Sequence, residues 1–361
     1  MSKAATPKAF PDPGSYRVGI CVTLQCATRG AAIRYSLNRA SPASGAEYDA
    51  HRLIPLAAVD LGDRGIPTEY TVTAGAFKEG MDPSDATTFT YLINRSDRSW
   101  YTETPISPGA WMIADYEGDK MFVLAGGKRA LLIDTGFGSG DLRAHVDRLT
   151  GGLPLDVVIT HGHADHVAQI GQFQRDCRIF MHGAERSLAE KSVAEYRLDV
   201  DLYRVGDIRD GYVFDLGGRS VQAYELTGHT AGGIVLLDRD SGLLFTGDAL
   251  GSNRPTVPDS MFMQLPESRP VHEFLPALKA FRKRVRGTFR EMYTGHNDIA
   301  LFGETYMDNL QRAAQYLVDR GPEVLAPSPR PPGVWQTVVG DRLSDPNWVA
   351  INVNMTGKST T

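Results

Sequence analysis

Thr160-His161-Gly162-His163-Ala164-Asp165-His166 sets three imidazoles and one carboxylate within six residues. The run Val157-Val158-Ile159 comes straight before it, with Gly151, Gly152 and Pro154 upstream. Short, β-branched and bounded by turn residues, that run predicts a buried parallel strand. Val167, Ile170 and Phe173 follow at the spacing of one helix face. The histidines are therefore expected on a strand-to-helix loop at the carboxyl end of a strand, where open α/β sheets usually bind ligands. Neutral imidazole and carboxylate are donors that zinc and related divalent ions take. A polar loop carries one or two histidines without an ion, but this grouping would suffer desolvation and mutual repulsion. A metal site is the better reading.

On either side of this stretch the pattern alternates strand and helix, which predicts an α/β fold. Trp111-Met112-Ile113, Met121-Phe122-Val123-Leu124 and Ala130-Leu131-Leu132-Ile133 read as strands. Tyr116-Glu117-Gly118-Asp119 and Gly126-Gly127-Lys128 are the turns between them. Asp134-Thr135-Gly136 leads into a helix carrying Leu142, Val146 and Leu149. Further on, strands are expected near residues 177–181, 205–210, 212–216, 220–226, 234–237 and 243–245. Helices are expected over 184–198, 271–289 and 304–318, and extended segments over 335–339 and 348–352.

Three further sites share one grammar, an apolar strand, a Thr-Gly pair and then a ligand type: Thr227-Gly228-His229, Thr246-Gly247-Asp248 and, after Met292-Tyr293, Thr294-Gly295-His296. Glycine before the ligand is expected to let the backbone turn sharply there. With the first loop they supply five histidines and two aspartates, enough for two metal ions. The remaining histidines read otherwise. His51, His145 and His272 are expected at the surface, and His182 near the rim of the site.

The amino-terminal quarter is different. Residues 1–14 read as a flexible tail, and residues 15–95 as an all-β sandwich with strands near 18–24, 31–37, 69–74 and 87–93. Val22-Thr23-Leu24, Gly30-Ala31-Ala32-Ile33-Arg34-Tyr35-Ser36, Thr73-Ala74 and Ala76-Phe77-Lys78-Glu79-Gly80 resemble the immunoglobulin-like accessory domain at the carboxyl end of chitobiases and β-hexosaminidases. Where that family continues into a Thr-Asp-Gly-Ser turn, Leu37-Asn38-Arg39-Ala40-Ser41-Pro42 stands here. A polar connection near residues 96–103 leads to a second domain, 104–361.

Composition narrows the class. The 361 residues are 42% hydrophobic and 22% charged, with net charge −5, as expected of a soluble globular protein of about two domains. An acidic balance without basic blocks argues against a nucleic-acid partner. No apolar run is long enough to span a membrane, and residues 1–14 lack the apolar core of a secretory signal. Cys21, Cys26 and Cys177 are too few for a disulfide framework, so a reduced, cytoplasmic setting is expected.

Residues 104–361 resemble the metallo-β-lactamase superfamily, whose His-x-His-x-Asp-His pattern is present as His161, His163, Asp165 and His166. The resemblance implies an αββα sandwich, preceded here by the small immunoglobulin-like sandwich. It implies that His161, His163 and His229 hold one metal, and that Asp165, His166 and His296 hold a second. Asp248 would bridge them, with Asp134 supporting the histidine loop. Two divalent ions are implied, zinc first, with iron or manganese as alternatives. The expected chemistry is hydrolysis of a small-molecule ester or lactone by a metal-bound hydroxide, with Asp165 orienting it and taking up a proton. Thioester and β-lactam hydrolysis, and a single-iron sulfur dioxygenase, are the alternatives. A different class of reading makes the sandwich a carbohydrate-binding or scaffold module with a structural metal. The apolar stretch holding Leu250, Val257, Met261, Phe262, Met263 and Leu265 suggests a pocket wall, with Met261, Phe262 and Met263 as candidates. A homo-oligomer through the amino-terminal domain is left open.

Overall fold

A computed structural model describes residues 2–16, 20–37, 41–42, 45–48, 54–56, 68–93, 100–115, 118–137, 140–251, 261–297, 300–301, 303–327, 334–340 and 348–353. The run around Val157 is the strand Leu155–Ile159, buried throughout and parallel to both Ala130–Ile133 and Arg178–Met181. It is the third strand of a seven-stranded sheet, in the order Val205–Asp207, Arg178–Met181, Leu155–Ile159, Ala130–Ile133, Lys120–Ala125, Ala110–Asp115, Tyr101–Ser107. A five-stranded sheet faces it: Val213–Asp215, Ser220–Glu225, Ile234–Asp238, Leu243–Phe245, Glu291–Tyr293.

Strand side chains alternate between faces, so a continuous apolar run feeds two cores at once. Val158 points between the sheets, where Phe122 meets Phe245 at 4.8 Å, while Val157 and Ile159 point outward. The outward face is covered by the helix Leu142–Thr150 and by Val167, Phe173 and Ala189. The far face of the second sheet is covered by helices Val271–Val285 and Gly303–Arg320 through Phe274, Leu278, Phe281 and Leu310. Each large apolar side chain buried this way contributes about 1.5–3 kcal/mol. The result is the αββα arrangement.

Two expected helices are shorter than their periodicity implied. The helix after the histidines is one turn, Ala164–Val167, followed by the 3-10 turn Ile170–Gln172. Gln169 lies between them and sends its amide to the Thr135 carbonyl at 2.7 Å, while accepting the Tyr101 hydroxyl at 2.5 Å. Val167, Ile170 and Phe173 are nonetheless all fully buried. Val271–Val285 stops short of residue 289: Arg286 leaves the helix with ψ 126°, and Gly287 follows at φ 70°.

The amino-terminal region forms two more sheets, of strands Lys8–Phe10, Ile20–Gln25 and Ile54–Leu56, and of strands Gly14–Tyr16, Thr87–Ile93, Thr68–Phe77, Ala32–Leu37 and Ala46–Glu47. Val22, Leu24, Leu56, Val72 and Tyr91 form their shared core. The stretch read as a flexible tail is part of this structure. Ala9 is buried opposite Leu24, and the Ala4 amide donates to the Asp82 carbonyl. One alanine facing inward between outward Lys8 and Phe10 leaves no apolar period to detect.

Strands Ile20–Gln25 and Ile54–Leu56 lie beside the edge strand Tyr101–Ser107. There the expected surface residue His145 is half-buried instead, 5.3 Å from the Tyr101 ring and 2.9 Å from Glu103. Hydrogen bonding to His145, aided by Arg148 and opposed by burial, holds the Glu103 carboxyl down at about 2. A depressed carboxyl stabilises the fold above its unfolded pKa and loses that contribution as pH falls toward the folded one. Glu103→Gln is therefore expected to cost about 1–3 kcal/mol at neutral pH. Urea unfolding across a pH series should show the difference shrinking as pH approaches 2.

Candidate metal centre

The four ligand-bearing loops leave the carboxyl ends of Leu155–Ile159, Ser220–Glu225, Leu243–Phe245 and Glu291–Tyr293, and so meet at one edge of the two sheets. All seven expected ligands are brought together. The donor atoms of His161, His163 and His229 lie within 4.8 Å of one another, as do those of His161, His166 and Asp248, and of Asp165, His166 and His296. His163 Nδ1 is 2.9 Å from His161 Nε2 and 3.1 Å from His229 Nε2. His296 Nε2 is 3.1 Å from Asp248 Oδ2 and 3.4 Å from Asp165 Oδ2. Asp248 also reaches toward His229 and His166, at 3.9 Å each, and so lies between the two groups.

The outer ring nitrogens have their own partners, and these set the tautomers. His166 Nδ1 donates to Asp134 Oδ2 at 2.8 Å. Asp134 also accepts from the Thr160 amide at 2.7 Å and the Thr160 hydroxyl at 2.8 Å, at a backbone φ of 60°. Having given its proton to Asp134, the Thr160 oxygen accepts from His161 Nδ1 at 3.1 Å. His163 Nε2 donates to Glu267 at 2.6 Å, and His296 Nδ1 lies 3.2 Å from Asp119. His163 thus presents Nδ1 to the centre, whereas His161, His166 and His296 present Nε2.

This donor set fits divalent ions. His166 Nε2 and Asp248 Oδ1 are buried and have no hydrogen-bond partner among the described residues. Burial, joined by the charges of His166, His163 and His229, drives the His161 pKa well below its usual value and keeps the ring neutral, the form that ligates. At the other group the balance reverses. Burial opposes charge on His166, yet Asp134 and Asp165 outweigh it and raise the ring to about 10. Carboxylates that hold a proton on a fully buried imidazole favour a cation at the same place.

Glycine does not play one role in the three Thr-Gly pairs. Gly247 has φ 47°, as the turn expectation requires. At Gly228 and Gly295 the reason is space. A Cβ would lie 2.5 Å from the Phe274 ring in the first case and 2.4 Å from Asp248 Oδ1 in the second.

A cleft of about 530 Å³ opens over the ligands. One wall is a face of the helix Arg186–Tyr196, through Leu188, Lys191, Ser192, Glu195 and Tyr196, and Leu265 and Glu267 lie opposite. The expected methionine wall is not there. Met261 and Met263 are buried in the core with Phe274 and Leu278, because Met261–Phe262 pairs with Val349–Val353. The Phe262 side chain and Val257 lie outside the described residues, as does His51. His182 is held by Arg209 and Glu225 outside the ligand set, and His272 is exposed. Glu267, Asp119 and the helix face were not found from sequence. Each is a lone polar residue or short face without a spacing motif, whose role arises only when its loop reaches the ligands.

The family model described as the metallo-beta-lactamase superfamily matches residues 120–328. An acyl-coenzyme A thioesterase of Bos taurus, MBLAC2, is 25% identical over 236 residues, covering 55% of this chain and 81% of the relative. A hydroxyacylglutathione hydrolase of Roseobacter denitrificans is 38% identical over 95 residues, 26% of this chain and 33% of the relative. Among solved structures, a metallo-beta-lactamase from Pontibacter korlensis aligns with a TM-score of 0.49 at 19% identity, covering 60% of this chain and 99% of the other.

Proposed function

Because the chain belongs to the metallo-β-lactamase superfamily, we propose that it is a metal-dependent hydrolase of small-molecule thioesters. The observation that carries a hydrolytic centre is the junction of the two ligand groups through Asp248 at the floor of an open cleft. His161, His163 and His229 would hold one ion, and Asp165, His166 and His296 a second, zinc being the ion such donors favour. Bound there, a pair of divalent ions supplies Lewis acidity toward a carbonyl and lowers the pKa of water toward neutrality. Asp165 lines the cleft with its side chain 35% exposed, and so can take up a proton during attack. Leu188 and Leu265 offer apolar contact to an acyl group, while Lys191, Glu195 and Tyr196 add polar groups to the lining of the cleft.

Two relatives act on acyl groups carried by coenzyme A and glutathione, which are thiols, and this favours thioesters over the ester or lactone expected from sequence. Met261 and Met263, which would have walled a pocket for an ester or lactone, are in the core. We also propose a cytoplasmic setting and an accessory part for residues 15–95. No helix of the described residues is long and apolar enough to cross a membrane.

The test is a panel on zinc-loaded full chain: acyl-coenzyme A, acylglutathione, aryl esters, lactones and β-lactams. Thioesters are expected to give the highest kcat/KM. Turnover of lactones or esters with none of thioesters would overturn the assignment.

A further inference from the structure

Glu185 stands just before the helix Arg186–Tyr196 and is 1% exposed. Its carboxylate makes no capping bond to its own helix. Instead Oε2 accepts the Gly162 amide at 2.9 Å, and Oε1 accepts the Gly232 amide at 2.5 Å. Gly162 lies between His161 and His163, and Gly232 is three residues beyond His229. One buried side chain therefore ties together the two loops that carry all three donors of a single ligand group.

The packing around both amides is equally close. A Cβ at Gly162 would lie 2.8 Å from the Glu185 carbonyl and from the Ala189 nitrogen. A Cβ at Gly232 would lie 2.2 Å from His182 Nδ1 and 3.1 Å from the Ala184 side chain. Gly162 thus presses on Glu185 and the first turns of the helix that follows it, and Gly232 on residues 182–184 just before it. Ser192 adds a second tie by donating its hydroxyl to the Gly162 carbonyl at 2.9 Å. With both ends of the Gly162 residue fixed, the flanking histidines have a fixed origin. The loop of His229 is fixed against the same carboxylate.

We infer that Glu185 is a positioning residue that sets the affinity of the His161, His163 and His229 site for its ion. It touches no ligand side chain and acts through the backbone of both loops. A glutamine in its place keeps the shape but offers one acceptor and an NH2 where two acceptors are needed, so one buried amide is left facing a donor. Loss of an outer partner of a metal ligand typically lowers metal affinity 10–100-fold.

The inference rests on the metal-centre reading and is separable from it. Zinc affinity is measured by chelator competition on full-length wild type and Glu185→Gln, with melting temperatures of the metal-free proteins alongside. The expected result is one ion held 10–100-fold more weakly, the other unchanged, and metal-free melting nearly unchanged. With cobalt in place of zinc, the visible bands of the three-histidine site should be the ones lost. Should Glu185→Gln not fold, Glu185→Asp, too short to reach both amides, is expected to show the same selective loss. Unchanged zinc affinity, or equal weakening of both ions with a lower metal-free melting temperature, would overturn the inference. Wild type that takes up no zinc would overturn the metal centre itself.

Discussion

His163→Ala is expected to abolish turnover while leaving the chain folded. His163 Nδ1 lies 2.9 Å from His161 Nε2 and 3.1 Å from His229 Nε2, so its removal opens that ligand group at its middle. The change also leaves Glu267 without the imidazole that holds its carboxyl below the usual range. The loss should exceed the 10–100-fold typical of an outer partner, since a direct donor is gone. Metal content and kcat are measured on the same sample, with the melting temperature as control. Undiminished turnover in a metal-stripped wild-type sample would defeat the prediction, because a chain active without ions has no use for His163.

Asp165→Asn should cut kcat by about 10²–10⁴, the range for general acid–base groups. Asparagine keeps an oxygen donor at the same position but cannot accept the proton. His296 and His166 reach Asp165 Oδ2 at 3.4 and 3.7 Å, so a carbonyl oxygen there still offers a contact to an ion. Metal content should therefore fall much less than activity. A fall in bound metal that matches the fall in kcat would make Asp165 a ligand and nothing more.

Much of the α/β unit was legible because its signals are local. The apolar strands near Leu131, Val158 and Leu236 are uninterrupted and short, and the ligand residues follow them within a few positions. The seven ligands could be named because each is tied to a strand end by a Thr-Gly pair or by the first loop. What escaped were features settled by distant packing. Phe173 keeps its helix-like burial although the helix ends at Val167, since Gln169 is drawn off to Thr135 and Tyr101. The sequence of the Met261 segment suggests a cleft wall, but pairing with Val349–Val353 turns its methionines into the core. Glu185 and Glu267 are ordinary charged residues in sequence; only the folded chain brings them to the site.

That last pairing also bears on the order in which the protein acquires its parts. Met261 registers with Ile351, and the Met263 amide donates to Asn352, closing a loop of about ninety residues. Contacts so far apart in the chain form slowly and only after their second half has been synthesised. The seven-stranded sheet, built largely from neighbours in sequence, has no such wait. Asp248, the residue between the two ligand groups, leads directly into the late segment through Gly251, where a Cβ would come within 2.6 Å of Met261. Locking of the Asp248 loop is therefore expected to wait for the strand Val349–Val353, whereas the His161 loop rests on strands that are neighbours in sequence.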